Sequence, residues 1–335
     1  MKLKSTFLGI KDRNHINRVF TSNILEKIRN CTDLYDQIIG QHDLNEHKDN
    51  LKEIEIAFAS WGVPALTEGE IRTYLPKLKA LFYAAGTVQD FAQPFLNCGV
   101  KVFSGWGANA VPVAEYAASQ IILANKGFYQ CCSKTKQDYK TARKYAESFP
   151  GNYSANVGIL GVGMIGSMVI NILKKCELNI MVFDPNLSDE ETEKLGVSKH
   201  CLADIFSTCQ TISNHLANKP ETVGILNRQH FSAMLPNATF INTGRGAQVV
   251  ERDLIDALKA APARSAVLDV TWPEPPEKGS GLLALDNVFL TPHIAGSMSN
   301  EVERMAVYML EEFMRYQNGK DLLFEVKMDM LKTMA

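Results

Sequence analysis

Short apolar runs rich in Val, Ile and Phe alternate with polar stretches whose apolar residues recur at helical spacing, and this rhythm fills almost the whole chain. Ten runs read as strands: TFLGI, EIEIAFAS, ALFYAAG, VKVFSG, NVGILG, NIMVFD, TISNHL, ATFINT, SAVLDV and VFLTPH. Between them lie helical patterns such as Ile165 to Cys176 and Asp253 to Lys259. Strands that are continuously hydrophobic and separated by helices predict parallel sheets covered on both faces, an α/β fold. A long helix is expected at about Val111 to Tyr129 and a last one at about Asn300 to Asn318, with a loop over ARKYAESFPGNYSAN.

A glycine signature of the form G-x-G-x-x-G begins only at Gly161, after four earlier strand candidates. A nucleotide-binding unit carries that signature after its own first strand, so the preceding residues form a unit of their own. Residues 1–104 and 299–335 are expected to make one domain, with a nucleotide domain, 105–298, inserted in it and the last helix packing back on the first. A chain of 335 residues is long enough for two cores.

Composition narrows the partners. With a net charge of -2 and 21% charged residues, no overall field draws the protein to nucleic acid or acidic lipid, which leaves a small molecule as the expected partner. No apolar stretch approaches the ~18 residues of a membrane helix, and the opening MKLKSTFLGIKDRN breaks its apolar run too early for a signal peptide, so a cytoplasmic location is expected. The 7 cysteines form no C-x-x-C pair and no metal-ligand spacing with histidine, so no metal site is expected.

The run VGILGVGMIGS carries Gly161, Gly163 and Gly166 between a strand and a helix. Such glycines make the tight turn, admit a pyrophosphate and let helix and strand pack closely, while the amides of Met164 and Ile165 face the phosphate. Asp184, in IMVFDPN at the end of the next strand, is suited to bind the ribose hydroxyls of NAD and to repel the extra phosphate of NADP. The structural alternative is a strand turn followed by a carboxylate that caps the next helix.

Three further groups follow strand candidates: Arg245 after ATFINT, Asp269 and Glu274 in LDVTWPEPP, and His293 in TPHIAGS. An arginine between two glycines at a strand exit is costly to bury unless it meets an anion. In a parallel sheet the carboxyl ends share one edge, so residues far apart in sequence can converge there. Each has a structural alternative: a core ion pair, a proline-rich turn, a backbone cap. His215 is expected to shape the cofactor wall without transferring protons, and the other histidines lack a comparable setting.

Together these segments resemble the D-isomer-specific 2-hydroxyacid dehydrogenase family, which includes phosphoglycerate dehydrogenases and glyoxylate/hydroxypyruvate reductases. The resemblance runs through YAAGTVQD, NAVPVAEYA, GVGMIG with FDP, INTGRG, LDVTWPEP and TPHIAG, in that order. It implies a Rossmann-type NAD-binding domain inserted in a smaller, flavodoxin-like substrate domain, and a homodimer with its contact near the helix at Val111 to Tyr129. It implies NAD-dependent interconversion of a small 2-oxo acid and its D-2-hydroxy acid. Arg245 would hold the acid, with His293 as general acid/base oriented by Glu274, Ala85 and Gly86 at the substrate carboxylate, and Leu216, Thr243, Asp269 and Gly296 along the cofactor. Gly244 departs from the alanine or serine of many relatives. Trp61 and Trp272 either line the substrate pocket or cover their loops. A corepressor-like, NAD(H)-responsive binding protein on the same fold is the alternative, while formate dehydrogenases place glutamine where this chain has Glu274.

Overall fold

The computed structural model describes residues 2–10 and 14–332. The chain divides into two compact units, one made of the residues up to Ala110 together with those from Ser297 on, the other of Val111–Gly296.

In the first unit five parallel strands, β1 (Lys4–Leu8), β2 (Asp33–Ile39), β3 (Ile56–Ala59), β4 (Ala80–Tyr83) and β5 (Lys101–Ser104), stand in the order 2-1-3-4-5. That is the flavodoxin-like arrangement. A short strand, Glu325–Val326, joins the outer edge of β5 antiparallel. The core is aromatic: Phe82 stacks on Phe103 with centroids 4.5 Å apart, and Phe313 from the helix Val302–Gln317 meets Phe58 and Phe82 edge-on at 5.6 and 5.5 Å. Each such ring contributes roughly 1.5–3 kcal/mol by burial. The last helix is thereby fastened to this unit, although the whole second unit separates it from β5 along the chain.

The second unit holds β6 (Tyr153–Leu160), β7 (Glu177–Phe183), β8 (Ser198–Lys199), β9 (Thr211–Asn214), β10 (Thr239–Asn242), β11 (Ser265–Leu268) and β12 (Val288–Leu290), all parallel. Their order, 8-7-6-9-10-11-12, reverses direction between β6 and β9, as in a Rossmann sheet. The crevice at that reversal is where such sheets take ligands. Register aligns the strand exits: Leu160 pairs with Asn214, Asn214 with Asn242, Asn242 with Leu268, and Leu268 with Leu290. Whatever follows these residues lies along one edge.

All ten strand candidates are present, and among the described residues the structure adds three that patterning misses. β2 escapes because Asp33 and Asp36 interrupt an edge strand whose sides are only partly covered. The two-residue strands are too short to show any period. The stretch read as a loop, 142–156, opens inside a helix, Tyr139–Tyr145, capped by Asp138, and ends inside β6. The long helix runs over Trp106–Asn125 and breaks at Gly127, whose φ of 67° favours glycine, before a second helix, Phe128–Thr135. The boundaries between the units fall at 110/111 and 296/297, against the expected 104/105 and 298/299. The reason lies in the first turn of that helix: Ala108 belongs to the first core, whereas Ala114 and Ala117 belong to the second. Among the described residues no helix is long and apolar enough to cross a membrane.

Candidate active site

Six strand exits of the second unit carry the residues of interest. After β6, Gly161 turns the chain with φ 88°, and an added Cβ would lie 2.6 Å from the His215 carbonyl oxygen, so both conformation and space require glycine. Gly166 sits against the carbonyl of Gly161, which lets the helix Met164–Leu173 start beside the strand. Gly163 differs: a Cβ there would meet nothing within 4 Å, and no helical cap occupies the space. The protein leaves open the place where a pyrophosphate would approach the first amides of the helix, which is the fit that a dinucleotide needs.

Asp184, just beyond β7, accepts the amide of Val162 at 2.8 Å through Oδ2 and that of Asn186 at 2.9 Å through Oδ1. The carboxylate therefore fastens the glycine loop and still has lone pairs free for ribose hydroxyls. The alternative of a helix cap does not hold, because Ser188 caps the helix Asp189–Leu195.

Arg245 leaves β10 half-buried, with Nη1 donating to the Gly244 carbonyl at 2.8 Å. Burial pushes its pKa down and the nearby charge of Glu274 pushes it up, which places the two charged groups in one electrostatic neighbourhood. Glu274 Oε1 lies 2.7 Å from His293 Nδ1, both side chains being 40–49% exposed. A contact this open contributes little to stability. With Nδ1 engaged by the carboxylate, Nε2 is the nitrogen left to exchange a proton.

His293 also has φ 55°, a left-handed conformation that costs a non-glycine residue on the order of 1 kcal/mol. Asp269 holds it there. Its carbonyl accepts the amide of His293 at 3.1 Å. Its Oδ1 accepts Thr291 Oγ1 at 2.6 Å and the Ile294 amide at 2.8 Å, and its Oδ2 accepts the Ala295 amide at 2.9 Å. Only Oδ2 retains a free lone pair for a cofactor amide, so the buried Asp269 is chiefly the anchor of the histidine loop, with Gly296 at that loop's end.

Leu216 and Thr243 are buried beside His215, whose Nε2 is 2.9 Å from Ser213 Oγ and whose Nδ1 is 3.3 Å from Thr243 Oγ1. Part of His215 reaches the surface, yet the surrounding packing lowers its pKa to about 4, so the imidazole is neutral at ordinary pH. Trp272, in the same loop as Glu274, is 68% exposed, and Trp61 belongs to the first unit. Ala85 and Gly86 also belong to the first unit, where the buried Ser104 hydroxyl donates to both of their carbonyls. Among the described residues no group of three or more His, Cys, Asp or Glu side chains is arranged to hold a metal.

Sequence reasoning passes over Asn214, Asn242 and Gln248, three buried carboxamides linked beneath the Arg245 loop. The available signal was polar residues at the ends of otherwise apolar strands.

Residues 119–295 match the family described as D-isomer specific 2-hydroxyacid dehydrogenase, NAD binding domain. A protein of Bacillus subtilis named as a 2-hydroxyacid dehydrogenase, YoaD, is 33% identical over 67% of this chain and 66% of its own length. D-3-phosphoglycerate dehydrogenase of Archaeoglobus fulgidus is 29% identical over 66% of this chain, a stretch that is only 42% of the archaeal protein. The crystal structure of Rhodotorula graminis D-mandelate dehydrogenase superposes with a TM-score of 0.77, covering 98% of each chain at 19% identity, which is a likeness of fold.

Two expectations follow from this geometry. Gly163→Ala should leave the melting temperature of the ligand-free protein unchanged while lowering NADH affinity at least about tenfold; unaltered NADH titration would remove the phosphate role of that space. A histidine held neutral gives stability that is complete above its unfolded pKa of about 6.5 and is lost as pH falls toward the folded value of about 4. Urea unfolding at about pH 7.5 and about pH 5 should show wild type losing about 2 kcal/mol more than His215→Gln over that interval. Equal losses in the two proteins would mean the imidazole is not held neutral.

Proposed function

The chain belongs to the D-isomer specific 2-hydroxyacid dehydrogenase family of NAD(P)-dependent oxidoreductases, and on that premise we propose that it interconverts a small 2-oxo acid and its D-2-hydroxy acid with NAD. The observation that carries this reading is the hydrogen bond between Glu274 and His293 Nδ1 on an exposed, conformationally strained loop, beside an arginine that no carboxylate among the described residues neutralises within hydrogen-bond distance. Such an arrangement has little structural value and clear chemical value.

NAD, when bound, supplies or accepts the hydride. Gly163 and the amides of Met164 and Ile165 would hold its pyrophosphate, Asp184 its ribose, and the free lone pair of Asp269 its carboxamide, with Leu216, Thr243 and Gly296 along the wall. Arg245 binds the acid's carboxylate and draws electron density toward the carbonyl oxygen with a planar donor fork that lysine lacks. His293 Nε2 gives a proton to that oxygen during reduction and takes it back during oxidation, while Glu274 fixes the ring. Ala85 and Gly86, in the first unit, are the proposed substrate-binding residues there, on a loop whose carbonyls are tied to Ser104. The protein is further proposed to act as a cytoplasmic homodimer, with Leu123 and Phe128 as the exposed apolar residues at the expected contact.

A panel of glyoxylate, hydroxypyruvate, pyruvate and longer 2-oxo acids, followed by NADH consumption, tests the activity. His293→Gln should lower kcat by roughly 10²–10⁴ while NADH affinity stays within about twofold. Wild-type protein that binds NADH but reduces no acid in the panel would favour a corepressor-like binding protein instead. For cofactor choice, Asp184→Ser should narrow the preference for NADH over NADPH at least about tenfold. The ratio is the diagnostic quantity, because weaker NADH binding alone also follows from releasing Val162. An unmoved ratio would strip Asp184 of its ribose role.

A further inference from the structure

We propose that Gln248 is the positioning residue of Arg245, and that glycine at 244 is the space its carboxamide requires. The inference rests on the functional reading above for what Arg245 does, and on packing for how it is held.

Gln248 is fully buried, and all four hydrogen-bonding sites of its amide are used. Oε1 accepts Asn214 Nδ2 at 2.7 Å and the backbone amide of Arg245 at 3.3 Å. Nε2 donates to the carbonyls of Leu216 at 2.9 Å and Ala217 at 3.0 Å. On the other side of the arginine, its carbonyl accepts Asn242 Nδ2 and the Gln248 amide, each at 3.3 Å. Asn242 Oδ1 in turn takes the Gly244 amide at 3.0 Å and Asn214 Nδ2 at 3.0 Å. The backbone of Arg245 is therefore pinned on both faces by side chains from the exits of β9 and β10 and from the turn Gly246–Gln248. The guanidinium, which projects from this backbone, inherits its position.

An ideal Cβ on Gly244 would lie 2.9 Å from Gln248 Oε1 and 3.0 Å from Asn214 Nδ2. Gly244 does not have a positive φ, so the requirement is for room and not for conformation. The amide tip could swing aside only by surrendering bonds in a site without solvent, where each unsatisfied polar group is expensive. This accounts for the one place where INTGRG departs from the alanine or serine of many relatives: Gly244 and Gln248 are a matched pair. A shift of about an ångström in the carboxylate-binding group is enough to cost up to about 10²-fold in rate.

The test is a double-mutant cycle on Gly244→Ala and Gln248→Val, since valine removes the amide and does not reach the space beside residue 244. Each single variant should raise KM for the best 2-oxo acid, and the inhibition constant of oxamate, about tenfold, with the NADH dissociation constant within about threefold; the double variant should be no worse than Gln248→Val alone. Additive losses in the double variant would overturn the pairing. So would equal losses of NADH and acid binding accompanied by a fall in melting temperature, which is the pattern of general damage. Should Gln248→Val fail to fold, Gly244→Ala alone decides, and unchanged KM and oxamate inhibition there overturn the proposal. A wild-type protein that binds NADH yet reduces no 2-oxo acid defeats the functional reading and not the packing. In that event melting temperatures of the ligand-free variants decide, non-additive losses supporting the pair and additive ones ending it.

Discussion

Everything in the second unit depends on parallel strands ending in register. Hydrogen bonding fixes Leu160, Asn214, Asn242, Leu268 and Leu290 side by side, and the residue after each is delivered to the same edge. Because the side-chain period of a strand is two, a slip of one residue in any ladder would exchange the two faces on which its side chains pack and carry its exit away from the others. Burial of Phe240, Ile241, Ile212 and Leu268 penalises such a slip. The core that stabilises the sheet is therefore also what brings a glycine turn, an arginine, two acids and a histidine from remote parts of the chain to one edge.

Polar groups at that edge fall into two kinds, and their burial tells them apart. Asn214, Asn242, Gln248 and Asp269 are buried and satisfied by several partners each, as groups removed from water must be. Their partners are largely backbone amides and carbonyls of the loops, so they set loop shape. Glu274 and His293 are open and have each other. The open groups are free to meet a substrate because the buried ones have already fixed the backbone from which they project, a division between rigid support and reactive surface.

The sequence was most informative where one residue type has one physical job. Continuous apolar runs read as buried parallel strands, and the glycines of VGILGVGMIGS as a tight turn under a close helix, so both sheets and the glycine turn were legible. The edge strand Asp33–Ile39 was not, because partial exposure lets acids replace the apolar period. The carboxamide network was not legible either. Asparagine and glutamine near strand ends occur in turns, caps and surfaces alike, and nothing in the order of residues says that Asn214 and Gln248 touch. Register and the turn at Gly246–Gln248 bring them together, and these are properties of the folded chain.

Asp269 shows how far a residue's role depends on that folded context. A carboxylate after a strand beside the nicotinamide end of a Rossmann sheet invites a direct cofactor role, yet three of its acceptor positions go to Thr291, Ile294 and Ala295. Its main physical effect is to hold His293 in a left-handed conformation that the chain would otherwise leave. Thr291 also meets the Tyr116 hydroxyl at 3.1 Å, so the histidine loop is tied through Asp269 and Thr291 to the helix Trp106–Asn125. Strain at His293 is thus balanced by hydrogen bonds to a buried carboxylate, and charge-assisted bonds of this kind are about twice as strong as neutral ones. That balance is local to the unit that also carries the glycine turn, so the imidazole is set in place by the same sheet that would hold the dinucleotide.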